Sequence, residues 1–102
     1  MEISKRLIDK NLEFLLNGKM NNYDEYMEVK YFIKSNIENI TNITFYFVNA
    51  DSIDAYILGY ILKLKDINKL NINIIVSNAR LYNFLQYADF HKLFDVKIKE
   101  YE

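Results

Sequence analysis

The sequence predicts an α/β fold: a single domain over residues 1–102, with helices packed on a mostly parallel sheet of four to five strands. Three observations carry this. Short β-branched and aromatic runs alternate with longer segments of helical spacing, in the order β-α-β-α-β-α-β. Strands separated by helices pair in parallel through right-handed crossovers. The chain has 102 residues, one domain's worth, and 51% of them are apolar, with nine Tyr and seven Phe, enough for a core of its own.

Each element has its own signal. Leu12, Phe14 and Leu16 alternate with Glu13 and Leu15, the pattern of a strand with one buried face. Asn17-Gly18 ends it as a turn. Ile3 and Ile8 suggest an earlier strand or arm. Asn21 and Asn22 can cap a helix over residues 23–38, with Asp24 and Glu25 in the first turn, where the helix dipole favours acids. Tyr26, Val29, Ile33 and Ile37 form its apolar stripe. Residues 43–48 are an almost unbroken β-branched and aromatic run, which predicts a central strand covered on both faces. Residues 53–68 read as the second helix, with Ile57, Tyr60, Ile61 and Leu64 in a stripe. Residues 72–76 form the next strand. Ser77 and Asn78 can cap a third helix from Ala79, with Leu81, Phe84, Leu85 and Ala88 on one face. Phe90 and Leu93 extend that face into a short turn, and residues 94–98 close the sheet.

Composition excludes several function classes. The chain has no Cys and one His, so disulfides, thiolate chemistry and multi-histidine metal sites are out. Two glycines, Gly18 and Gly59, leave no phosphate-cradling loop of the dinucleotide or Walker type. Thirteen basic against fourteen acidic residues argue against a dedicated nucleic-acid binder. No apolar run is long enough for a membrane span or signal core, so no membrane insertion and a cytoplasmic location are expected. No nucleophile–base pair or carboxylate dyad is visible, so neither an enzyme nor a cofactor is expected.

Residues 43–97 resemble the STAS domain, the fold of anti-sigma factor antagonists and of the cytoplasmic tails of sulfate transporters. The stretch Ile53-Asp54-Ala55-Tyr56-Ile57-Leu58-Gly59 matches the family's apolar-Asp-Ser-Ser/Thr-Gly-Leu-Gly pattern. Residues 70–76 match its lone apolar strand, and residues 81–94 its closing helix with a Leu...Phe signature. Asn17-Gly18-Lys19-Met20 fits the first turn. The resemblance implies a protein-docking surface at the start of the second helix: Asn49, Asp51, Ser52, Asp54, Ala55, Tyr56, Ile57 and Tyr60. It also implies a phosphate-accepting Ser or Thr after the Asp, but this chain has Ala55 there, Tyr56 for the next small residue and Ile57 for the Gly. A phosphate would bring about −1.5 to −2 charges to a helix start. Ala55 has no oxygen to carry it. The family's acidic or amide position at the end of the preceding strand falls on Tyr46.

Each candidate also has a structural reading. Asp54 can cap its helix as well as face a partner, and Ile57 can tuck into the core as readily as join Tyr56 in a contact patch. Gly59 costs about 1 kcal/mol relative to Ala inside a helix, and close packing against the sheet is the expected offset; approach of a partner's backbone is the alternative. Ser77, Asn78 and Arg80 open the third helix, where backbone N–H groups can hold an anion. His91 reads as a surface residue. Tyr23, Tyr26, Tyr31 and Tyr46 are candidates for an interface.

The leading expectation is a non-catalytic protein–protein interaction domain resembling an anti-sigma factor antagonist. Its implied partner is a histidine-kinase-like anti-sigma factor. Alternatives are a structural subunit of a stress-signalling or lipid-transport (transporter) complex, a small-ligand (nucleotide) binding module, and a homodimer paired through a sheet edge at residues 11–16.

Overall fold

The computed structural model describes residues 1–20 and 22–101. Its strands are β1 (Glu2–Ile8), β2 (Asn11–Asn17), β3 (Asn42–Val48), β4 (Asn71–Val76) and β5 (Asp95–Ile98). Its helices are α1 (Tyr23–Asn36), α2 (Ala55–Asp66) and α3 (Ala79–Tyr87), with 3-10 turns at Ile37–Asn39 and Phe90–Lys92. The strands form one five-stranded sheet in the order β1-β2-β3-β4-β5. β1 and β2 pair antiparallel, and every later pair is parallel.

The early strand suggested by Ile3 and Ile8 is therefore real, and it joins β2 in a hairpin. Asp9 and Lys10 make the turn, with Asp9 in the left-handed region (φ 54). This hairpin removes β2 from the edge. The edge pairing expected at residues 11–16 is blocked because β1 occupies one side of β2 and β3 the other.

All three helices lie on one face. Leu12, Phe14 and Leu16 of β2, Ile43, Phe45 and Phe47 of β3, and Ile72, Ile74 and Val76 of β4 are buried beneath them. Strands that advance in one direction, joined by crossovers of one hand, must place every helix on the same side. Phe14 stacks on Phe45 at 5.5 Å and meets Phe32 edge-on at 6.1 Å, tying α1 to the sheet. Val29 and Ile33 of α1, Ile61 and Leu64 of α2, and Leu81 and Leu85 of α3 complete the core.

Among the described residues, no helix lies on the other face. There Glu13, Leu15, Thr44, Tyr46, Asn73 and Ile75 are only half-buried. The expectation that residues 43–48 are covered on both faces is thus corrected: β3 is central in the sheet but has one covered face. Its unbroken apolar run misled because Tyr46 is amphipathic and its hydroxyl donates to the Lys99 carbonyl on the open side (2.8 Å).

Helix ends follow their caps. Asn22 accepts from the Glu25 N–H (3.1 Å) and Glu25 accepts from the Asn22 N–H (3.3 Å), a reciprocal capping box. Asn21 lies outside the described residues. The first helix ends at Asn36 and tightens into the 3-10 turn instead of running to residue 38. The second is shorter than expected at both ends because Asp54 caps it and Lys69 (φ 58) turns the chain back. On α3, Leu81 and Leu85 are buried, but Phe84 is 54% exposed and Ala88 is exposed. The four-residue apolar face is therefore two residues wide.

Candidate functional site

The parallel strands β2, β3 and β4 end on the same side of the molecule, and the loops leaving them meet there. The Gly18 N–H donates to the Val48 carbonyl (2.8 Å) and the Asn49 side-chain amide to Asn17 Oδ1 (2.9 Å). The Asn49 N–H donates to Ser77 Oγ (3.1 Å) and the Ser77 N–H to the Phe47 carbonyl (3.1 Å). Asn49 holds a left-handed conformation (φ 55), which Asn tolerates better than most residues, and this turns the chain from β3 towards α2. Three loops are thereby fixed to one another.

From that platform α2 begins. Asp54 Oδ1 accepts from the Tyr56 N–H (2.8 Å), so its capping role is met. Lys19 pairs with Asp51 across the two loops (3.6 Å). Residues Gly18, Lys19, Met20, Ala50, Ser52 and Asp54 surround a hollow of about 240 Å³.

The expected docking residues divide into two groups. Asn49, Asp51, Ser52, Ala55 and Tyr56 are exposed and Asp54 is half-buried, all on one side of the platform. Ile57 (3% exposed) and Tyr60 (8% exposed) are not surface residues: both belong to the core beneath α2. A helix buries one face, and positions 57, 60, 61 and 64 are that face. Tyr46 is also misplaced by the family pattern. It sits in mid-strand on the open face of the sheet, whereas β3 ends at Val48 and Asn49 is the first loop residue after it.

Gly59 overturns another expectation. A Cβ built on it meets nothing within 4 Å, and the residue is exposed. Close packing on the sheet does not explain this glycine. It lies one turn beyond Ala55, so α2 shows solvent a nearly bare strip of backbone.

Beside that strip is an aromatic cluster that no local sequence pattern announces. Tyr23 and Tyr26 of α1 meet Tyr56 of α2 at 5.4 and 5.5 Å, and Tyr26 meets Tyr60 edge-on at 6.2 Å. Lys30 Nζ lies over the rings of Tyr26 (5.8 Å) and Tyr60 (5.5 Å). Tyr23 (53%) and Tyr56 (59%) remain exposed. The proposed set of four tyrosines is thus split: Tyr31 stands on a separate exposed position and Tyr46 is on the opposite face of the sheet. The missing signal was pairing between elements. Tyr23/Tyr26 and Tyr56/Tyr60 open successive crossover helices, and such helices lie side by side.

The residues set aside for an anion are engaged in structure. Ser77 Oγ accepts from Asn49, and Asn78 Oδ1 accepts from the Leu81 N–H (3.1 Å). Arg80 is exposed. At α2 the cap is itself a carboxylate, which repels an anion. Among the described residues no three His, Asp, Glu or Cys side chains gather as a metal site, and no helix is long and apolar enough to cross a membrane. No family model, curated protein or solved structure matches this chain.

Proposed function

We propose that the chain is a non-catalytic interaction domain of the cytoplasm, similar to an anti-sigma factor antagonist of the STAS type, that docks on a protein partner through the first turns of α2. The observation that supports this reading most is the open strip at Ala55 and Gly59. A mid-helix glycine lowers stability. A Cβ there would meet open space, which leaves room for a surface approaching from outside. Tyr23 and Tyr56, in contact with each other, border one side of the strip with the ring surface that protein interfaces favour. The preorganised 49–52 loop supplies polar groups at its rim.

On this reading the partner is a histidine-kinase-like anti-sigma factor or a subunit of a larger complex. The docking is not switched by phosphorylation at the family's position, because Ala55 cannot accept a phosphate. Partner capture by the wild-type chain and by Gly59→Arg, compared quantitatively, tests it. Gly59 faces open space, so the arginine leaves the fold intact, which amide NMR verifies. A protein captured by the wild type and lost from Gly59→Arg is the expected result. Equal capture of every protein by both chains places the docking surface elsewhere.

A further inference from the structure

We infer that the open face of the sheet is a self-association surface, which packs against the same face of a second copy of this chain about a two-fold axis running close to the strand direction. The inference is independent of the α2 surface, which lies on the opposite side.

The strand registers place the open-face residues in cross-strand rows. The middle row is Ser4, Leu15, Tyr46, Ile75 and Lys97. The next is Arg6, Glu13, Thr44, Asn73 and Asp95. On the other side of the middle row, Glu2 stands on β1 and Lys99 continues β5, since the Lys99 N–H donates to the Val76 carbonyl (2.9 Å). Tyr46 holds Lys99 there through its hydroxyl bond, with the Tyr101 ring edge-on at 6.0 Å.

A two-fold axis along the strands lays β1 of one copy over β5 of the other and leaves each row facing itself. Leu15 then faces Ile75 of the second copy and Thr44 lies beside the axis, with Tyr46 next to it held against the chain's own Lys99 carbonyl and Tyr101 ring. Charges match at both margins. Arg6 of one copy faces Asp95 of the other, and Glu2 faces Lys99. Each match occurs twice by symmetry. Arg6 uses only Nε for its bond to Glu13 (2.6 Å), so the far end of its guanidinium is free for the second copy. Asp95 meets Lys97 through one oxygen (3.5 Å) and keeps the other. Sheets that pack face to face cross at about 30°, which long margin side chains can span.

Strand and row spacings give a contact of roughly 20 by 15 Å, on the order of 300 Å² per copy, against roughly 800 Å² for a standard stable interface. The pair is therefore weak and forms at high concentration.

Sedimentation velocity from about 10 μM to about 1 mM reads the equilibrium. The wild-type chain is expected to shift from monomer to dimer. Arg6→Asp and Asp95→Arg alone each place like charges opposite one another twice, raising Kd by about tenfold or more. An equimolar mixture of the two variants restores both opposite-charge pairs in a heterodimer and returns Kd towards the wild-type value. Circular dichroism establishes that each variant is folded, and Thr44→Glu, at the axis, abolishes the dimer. A chain that stays monomeric at the highest concentration overturns the inference. So does a dimer indifferent to the single changes, or a mixture that recovers nothing.

Discussion

Gly59 separates two pressures on one residue. Folding alone favours alanine there, because the helix continues on both sides and the added methyl meets open space. Gly59→Ala is expected to stabilise the chain by about 0.5–1 kcal/mol, read as a higher urea midpoint with an unchanged slope. A loss of stability would mean that the helix is strained at this position. Tyr60 carries the opposite kind of information. Burial pushes its hydroxyl above the ordinary tyrosine value, and neighbouring Tyr26 adds to the shift. Tyr46 moves the same way, from burial first and then Tyr101. A phenol whose folded value is raised ionises first in the unfolded chain. Its contribution is intact below the unfolded value of about 10 and is lost as pH rises through the folded one. Stability should therefore fall above about pH 10, and Tyr46→Phe with Tyr60→Phe should flatten that fall. Urea midpoints measured across this range decide it. No slope difference between the two chains would refute the assignment.

Among the elements, α3 shows what periodicity can and cannot reveal. Leu81, Phe84, Leu85 and Ala88 have helical spacing, and the helix forms where its Asn78 cap predicts. The spacing does not say how wide a stripe the sheet will cover. α3 sits over β4 and the short strand β5, so only Leu81 and Leu85 reach full burial. Truncation distinguishes the two classes. Leu85→Ala should cost about 2–5 kcal/mol. Phe84→Ala, at 54% exposure, should cost under about 1 kcal/mol. Similar losses at both positions would return Phe84 to the core. The same limit explains β3. Its apolar run marked a central strand correctly, but the number of covered faces depends on where the neighbouring crossovers pass, and no local pattern encodes that. The β1–β2 turn was similarly obscure: Asp9 takes a left-handed conformation without the Asn-Gly or Asp-Gly pair that announces tight hairpins.

For the molecule as a whole, alternation and caps sufficed for the α/β class, the mostly parallel sheet and most of the core, while the antiparallel β1–β2 hairpin that opens the order was not legible. The candidate site was legible in part. Its loops and the cap at Asp54 could be located from Asn49-Ala50-Asp51-Ser52 and the helical stripe that follows. The inward direction of Ile57 and Tyr60 was already contained in that stripe, and the family pattern pulled them outward. The tyrosine cluster and the margin charges of the open face arise from contacts between distant segments, and only the registers reveal them. Those registers have one more effect. Every strand bonds to its predecessor in the chain, so no later segment must be threaded between two earlier ones. During synthesis the hairpin can form as soon as Asn17 has emerged, and each following helix and strand can dock on a template already laid down. The chain can therefore close its sheet from one edge to the other, with no strand inserted late between two partners.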